Sequence, residues 1–164
     1  GLCRIALDKL KKTYEQDIQE KNIRIVFDNL TLSLMMEVNV EQFSKVLAGI
    51  LKNSMYALLK KSETVTFSPE IFLGLKVNKD MLEITIRDNG SGIDENIKDK
   101  IFAPFFTTKT TGEAAGVGLY LCREIVQNHR GTIEVESKKG EYTQFLITIP
   151  VYQPKTITPP KEEE

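Results

Sequence analysis

The sequence predicts an α+β domain in which helices cover one face of a mixed sheet. Three observations carry that expectation. Stretches with apolar residues three and four apart read as helices. Other stretches alternate apolar and polar residues and read as half-buried strands, and their order along the chain is that of an α+β fold. Hydrophobic residues make up 41% of the 164 and charged residues 27%, an ordinary globular balance. At this length a chain buries roughly two-thirds of its unfolded surface without disulfide or metal support.

The elements follow in order. Residues 4–21 place Leu7, Leu10, Tyr14 and Ile18 on one apolar stripe of a charged helix. That stripe fits a surface helix packed on its own domain and, equally, the end of a helix from a neighbouring dimerisation or coiled-coil domain. Residues 23–27 and 34–38 read as short strands around the turn-rich Asp28-Asn29. A long helix is expected over residues 40–60, with Val46, Leu47, Ile50, Leu51, Ala57 and Leu58 on its buried side. Residues 71–77 and 81–88 form a hairpin across Asn78-Lys79-Asp80. A short helix over 94–101 takes Asp94 as its cap. Residues 107–115 lack periodicity and read as a mobile loop. Residues 119–128 return to helix, with Leu119, Cys122, Ile125 and Val126 inward, and strands follow at 132–137 and 143–150. The expected organisation is a helix over 1–21, one domain over 22–150 and a disordered, Pro- and Glu-rich tail over 151–164.

Charge and cysteine usage narrow the function. Lys plus Arg number 22 and Asp plus Glu 23, a net charge of −1 that offers no field for holding nucleic acid. Two cysteines cannot make a disulfide framework, so a reducing, cytoplasmic setting is expected. No apolar run approaches the ~20 residues of a membrane span, and no signal peptide opens the chain. One histidine, His129, excludes a multi-histidine metal site.

Three local patterns carry chemistry. In Leu82-Glu83-Ile84-Thr85-Ile86-Arg87-Asp88-Asn89-Gly90-Ser91-Gly92, alternation puts Asp88 on the same face as Leu82, Ile84 and Ile86. A carboxylate ending a buried stripe needs a hydrogen-bond donor. Asn-Gly there is a strong hairpin signal, but the next segment is helical, so a turn beside a ligand's donor fits better. An adenine amino group would serve. Gly116-Val117-Gly118-Leu119 opens a helix, where free N–H groups attract phosphate. It is not a Rossmann fingerprint, since Leu121 stands at the third glycine position, and no Gly-Lys-Ser/Thr exists to make a P-loop. Asn53 falls near the inward face of its helix, where a satisfied core amide and a functional one are equally natural.

Four segments in order then resemble the sensor histidine kinases. They are the N box around Leu51-Lys52-Asn53-Ser54, the first glycine box Asp88-Asn89-Gly90-Ser91-Gly92-Ile93, the F box Phe102-Ala103-Pro104-Phe105-Phe106-Thr107-Thr108-Lys109 and the second glycine box Gly116-Val117-Gly118-Leu119. The resemblance runs over about residues 39–150 and implies the Bergerat fold, a two-layer α/β sandwich with about five mixed strands against three helices. It implies ATP and Mg²⁺ as cofactors. Asn53 is then the metal ligand, and Asp88 the acceptor for the adenine amine. Ala57, Gly90, Gly92, Ile93 and Thr143 line the base, with Thr143 acting through water. Gly116, Val117, Gly118 and Leu119 meet the phosphates, and Lys109 touches them from a closing Phe-Phe-Thr-Thr-Lys lid. Phe102, Phe105 and Phe106 pack the root of that lid. The implied partners are ATP or ADP, a phosphoacceptor dimerisation domain that makes the full protein a homodimer, and a response regulator. The resemblance leaves room for a membrane-anchored full-length protein, and residues 1–21 then read as the end of the dimerisation domain or its linker.

Three positions depart from the family pattern. Tyr120 replaces a frequent third glycine, and Tyr56 stands where many members carry Lys or Arg. Gly49 stands where the related ATP hydrolases place a glutamate, so a water-activating base is missing and the clamp-ATPase alternative is disfavoured. A nucleotide-binding scaffold without kinase activity is the other alternative, and intact Asn53, Asp88 and glycine boxes argue against it. His129 precedes Arg130-Gly131 at a helix end and reads as structural.

Overall fold

The computed structural model describes residues 2–29, 39–104 and 118–150. The expected strand at 34–38, the loop at 107–115 and the tail from 151 lie outside them, as do Phe105, Phe106, Lys109, Gly116 and Val117. The first helical stretch divides in two, α1 (Leu2–Thr13) and α2 (Glu15–Lys21), where one helix was expected. Tyr14 leaves the helical region at φ −110 and ψ 24, just after Thr13 turns its hydroxyl back to the Lys9 carbonyl. Such side-chain competition for backbone carbonyls bends helices. Asn22 ends α2 in the left-handed conformation common at helix C-termini.

Strand β1 (Arg24–Asn29) leads to α3 (Val40–Ser62), capped by the Asn39 side chain on the Gln42 N–H. Then come β2 (Glu70–Asn78), β3 (Met81–Asp88), α4 (Glu95–Lys98), α5 (Leu119–Asn128), β4 (Thr132–Lys138) and β5 (Tyr142–Pro150). The short helix α4 is smaller than the expected 94–101 but keeps Asp94 as its cap, accepting from the Asn96 N–H. Beyond Lys98 the bonds tighten to three-residue spacing, Lys100 to Ile97 and Ala103 to Lys100, ahead of Pro104.

The five strands form one mixed sheet in the order β1-β2-β3-β5-β4. β1 runs parallel to β2 across the α3 crossover, and the remaining pairs are antiparallel. The two-residue period assigns Ile71, Leu73, Leu82, Ile84, Ile86, Phe145, Ile147 and Ile149 to one buried face. Against that face lie Val46, Leu47, Ile50, Leu51, Met55 and Leu58 of α3, with Cys122, Ile125 and Val126 of α5. α1 adds Leu7 and Leu10 to the same core. Each such side chain contributes about 1.5–3 kcal/mol on leaving water.

α3 and α5 run antiparallel. The Asn39 N–H donates to His129 Nε2 at 3.0 Å, and Cys122 Sγ approaches the Val46 carbonyl at 3.9 Å, so equal steps forward on α3 and back on α5 stay level. Continuing that register brings Gly118, the N-cap of α5, level with Ile50, about one turn before Asn53. His129 Nδ1 lies 2.7 Å from the Ile125 carbonyl, and because Nε2 accepts, Nδ1 carries the proton of the neutral ring. The ring sits edge-on to Phe43 and joins two helix ends, the structural role its sequence position implied.

Candidate functional site

The site is built where β3 ends beside the middle of α3. Asp88 is the last residue of β3 and is only 2% exposed. It pairs in register with Thr143 on β5 and Ile71 on β2, on the buried face that the alternation of apolar residues implied. One carboxylate oxygen accepts the Gly90 N–H at 2.9 Å, closing the turn. Ser54 of α3 faces the carboxylate closely enough to favour its charged form, yet its buried Oγ meets no partner at hydrogen-bond geometry. Burial pushes the Asp88 carboxyl up to about 7, against the Gly90 N–H, Ser54 and the charges of Lys61 and Arg87, which favour ionisation. A buried carboxyl beside an unpartnered hydroxyl is an arrangement built for one more polar group.

The turn after Asp88 lies directly on α3. A Cβ on Gly90 would stand 2.6–2.8 Å from the Ala57 backbone and side chain, so only glycine fits. The Ser91 N–H donates to the Ala57 carbonyl at 3.1 Å. Gly92 holds φ +66 and packs against the Lys138 carbonyl at the tip of the β4–β5 hairpin. The Ile93 N–H donates to Ser137 Oγ at 2.8 Å, and Ser137 Oγ donates to the Tyr142 carbonyl at 2.8 Å. A hydroxyl has one proton, so the 3.0 Å contact between Ser137 and Thr143 uses the proton of Thr143. Thr143 therefore offers only lone pairs to any further partner.

Ala57, Asp88, Gly90, Gly92, Ile93 and Thr143 thus meet at one end of the sheet. Asn53 lies one turn before Ala57 on α3 and is half-buried. Gly118 caps α5 with no side chain to occupy the first N–H groups, and no described residue lies within 4 Å of where its Cβ would be. Leu119 begins the helix itself. Gly49 is buried on α3, leaving no carboxylate there. Phe102 is half-buried and packs edge-on to Phe145 at 6.4 Å, with the Arg123 guanidinium 5.8 Å from its ring centre.

Ser54, Ser137 and Lys61 did not stand out in the sequence. Ser54 follows Ile50 by four residues, so helical spacing alone marked it as inward. Ser137 continues the inward register of Ile133 and Val135 on β4, a polar residue in an apolar row. Asn89 stood in the Asn-Gly signal and the first glycine box, but nothing there foretold that its side chain accepts from the Glu70 N–H at 2.7 Å and donates to the Ser68 carbonyl at 2.8 Å.

Residues 39–153 match the family described as histidine kinase-, DNA gyrase B- and HSP90-like ATPases, and the chain belongs to that family. Its fold matches the catalytic domain of the histidine kinase ThkA with a TM-score of 0.72 at 27% identity, covering 90% of this chain and 91% of that one. Cyanobacterial phytochrome A of Nostoc sp. is 35% identical over 149 residues, 89% of this chain and 18% of that protein. The sensor histidine kinase AtsR of Burkholderia thailandensis is 33% identical over 149 residues, 85% of this chain and 24% of its own length. The chain therefore spans about a quarter or less of these two relatives. These likenesses support a sensor-kinase catalytic domain with an ATP-binding fold. No helix among the described residues is long and apolar enough to cross a membrane.

Proposed function

We propose that this chain binds Mg-ATP and passes its γ-phosphoryl group to a histidine on a dimerisation domain outside the sequence. The observation that carries the reading is the Asp88 end of the site. A buried carboxylate, a threonine reduced to an acceptor and an orphaned serine hydroxyl surround a turn pressed onto α3. Acceptors at Asp88 and Thr143 select a base that presents an amine, as adenine does, over one that presents a carbonyl, as guanine does. Thr143 acts through a bridging water, and Ala57, Gly90, Gly92 and Ile93 wall the base.

Asn53 is the protein ligand for Mg²⁺. Among the described residues no cluster of three His, Cys, Asp or Glu could cage a metal. A single neutral oxygen on a half-exposed helix face suits Mg²⁺, which binds chiefly through phosphate oxygens and water. When bound, the ion would neutralise charge on the phosphates. Gly116, Val117, Gly118 and Leu119 approach the phosphates through the start of α5, and Lys109 reaches them from the Phe-Phe-Thr-Thr-Lys lid. In the transfer, a ring nitrogen of the acceptor histidine bonds to the γ-phosphorus while the bond to the ADP oxygen breaks. Residues 1–21 lead in from the dimerisation domain, the full-length protein acts as a homodimer, and a response regulator takes the phosphoryl group onward.

His129 is no acceptor, because it closes the far end of α5, ~15 Å of helix from the phosphate end. With Gly49 in place of a base, the isolated chain should hold ATP with negligible turnover. Calorimetry with ATP, GTP and metal-free controls tests the site. Equal affinity for GTP would overturn the adenine assignment. Adding a dimerisation domain with its histidine should yield acid-labile phosphate on that partner, dependent on Asn53. Robust phosphate release by the chain alone, lost in Asn53→Ala, would favour an ATP hydrolase instead.

A further inference from the structure

Lys61 stands on α3 one turn beyond Ala57 and two turns beyond Asn53. Its Nζ donates to the Asn89 carbonyl at 3.0 Å and lies 4.4 Å from the centre of the Phe67 ring. One turn back, the Ala57 carbonyl takes the Ser91 N–H, with Gly90 pressed between the two attachments. The far side of the turn is held by the Asn89 side chain on Ser68 and Glu70. The Asp88-Asn89-Gly90-Ser91 segment is therefore clamped, and Lys61 supplies the charged half of its attachment to α3.

We propose that Lys61 is a positioning residue for adenine recognition, tying the Asn89 carbonyl to α3 so that Asp88 stays placed relative to Asn53. The inference rests on the nucleotide reading above. α3 carries both the metal-side amide and, through Lys61, the anchor of the base-side carboxylate, so one rigid helix sets the distance between the two ends of the nucleotide. The groups facing Asp88 are few. α3 brings Ser54 and Lys61, β5 brings the neutral Thr143 and β2 the apolar Ile71. The charge of Arg87 is also felt, though strand alternation sends that side chain to the opposite sheet face, over the Tyr142 ring. Among the described residues Lys61 is thus the cation on Asp88's own side, and it opposes the burial that raises the carboxyl.

Three variants separate this role from simple packing. Lys61→Met keeps the apolar stem against Phe67, Lys61→Arg restores charge and donor, and Lys60→Met removes a charge one residue away. In the nucleotide-free chain, Lys61→Met should move the amide signals of Asn89, Gly90 and Ser91 and shift the carboxyl titration of Asp88 to higher pH. ADP affinity at neutral pH should fall about tenfold, with the loss shrinking at alkaline pH as Asp88 ionises. Lys61→Arg should recover both, and Lys60→Met should change neither. An Asp88 titration unmoved in Lys61→Met, or an affinity loss equal at every pH and not recovered by arginine, overturns the proposal. A parent chain that binds no adenine nucleotide sinks the nucleotide reading and this inference together. An unmoved titration in a parent that does bind sinks this inference alone.

Discussion

At the Asp88 end of the site, backbone lies on backbone: Gly90 touches Ala57, Gly92 touches Lys138, and buried hydroxyls at Ser137 and Thr143 bond in series. At the Asn53 and Gly118 end, the amide is half-exposed, the helix start carries no capping side chain, and among the described residues none crowds the glycine. Among the described residues, one end is closed before any ligand arrives and the other is open. That difference follows from what each end would have to recognise. Hydrogen-bond selection of a neutral base requires acceptors fixed and dry, since an unmatched group there costs its full desolvation. Phosphates and a hydrated cation tolerate, and partly require, solvent.

The largest test compares glycines. Gly90→Ala forces a methyl into the Ala57 backbone, so it should cost about 1–3 kcal/mol of stability and abolish adenine-nucleotide binding. Gly118→Ala meets no neighbour among the described residues and should cost less than about 1 kcal/mol, through a poorer cap alone. Denaturant unfolding of both variants measures the contrast. Equal losses would mean that the two ends are equally tight.

Next comes Asp88→Asn, which should weaken every adenine nucleotide by ~1–3 kcal/mol in calorimetry. It also has a consequence without ligand. The folded carboxyl keeps its proton up to about 7, above its ordinary 3.8, because burial disfavours its charge. Between those values the folded state binds more protons than the unfolded, so this group makes stability fall as pH rises through that window. Asp88→Asn should flatten that fall and unfold at a higher temperature than the parent at alkaline pH. A variant that is less stable there would show that the carboxylate is satisfied in the empty protein. A stabilised, non-binding variant would show instead that the closed end is strained for its ligand.

The closed end was also the more legible one. Strand alternation put Asp88 on the buried face with Leu82, Ile84 and Ile86 before any geometry was known, and Asp94 announced the helix after the turn. Both signals are local, read within a few residues. Ser137 and Lys61 act on partners 44 and 28 residues away, and no local pattern records such a pairing. The break at Tyr14 was hidden for the opposite reason: its apolar stripe continues through Ile18 although the backbone does not. For Gly118 and Leu119 the sequence supplied a helix start and the structure an uncapped one, while Lys109, Gly116 and Val117 fall outside the described residues.

Asn53→Ala should act at the open end only. Its half-exposed side chain makes no bond to the core among the described residues, so stability should change little while the Mg²⁺-dependent gain in ADP affinity disappears. Titrations with and without Mg²⁺ check this. If Asn53→Ala and Asp88→Asn lost affinity identically in both conditions, the division of labour between the two ends would be wrong.

The smallest effect separates the ends by salt. Charge interactions at an exposed helix start are worth about 0.3–1 kcal/mol and are screened as ionic strength rises. Acceptors in a dry pocket, a few ångströms from their donor and shielded from ions, are hardly screened at all. Adenosine, which engages only the Asp88 end, should therefore bind with nearly the same affinity at low and high salt. ADP, which reaches the start of α5 as well, should weaken severalfold over the same change. The ratio of the two affinities, measured at several salt concentrations with Mg²⁺ held constant, isolates the open end without any mutation. If adenosine and ADP fell together, Asp88 would have to be reachable by ions, contrary to its 2% exposure. If neither moved, the phosphates would have to rest on something other than the exposed start of α5.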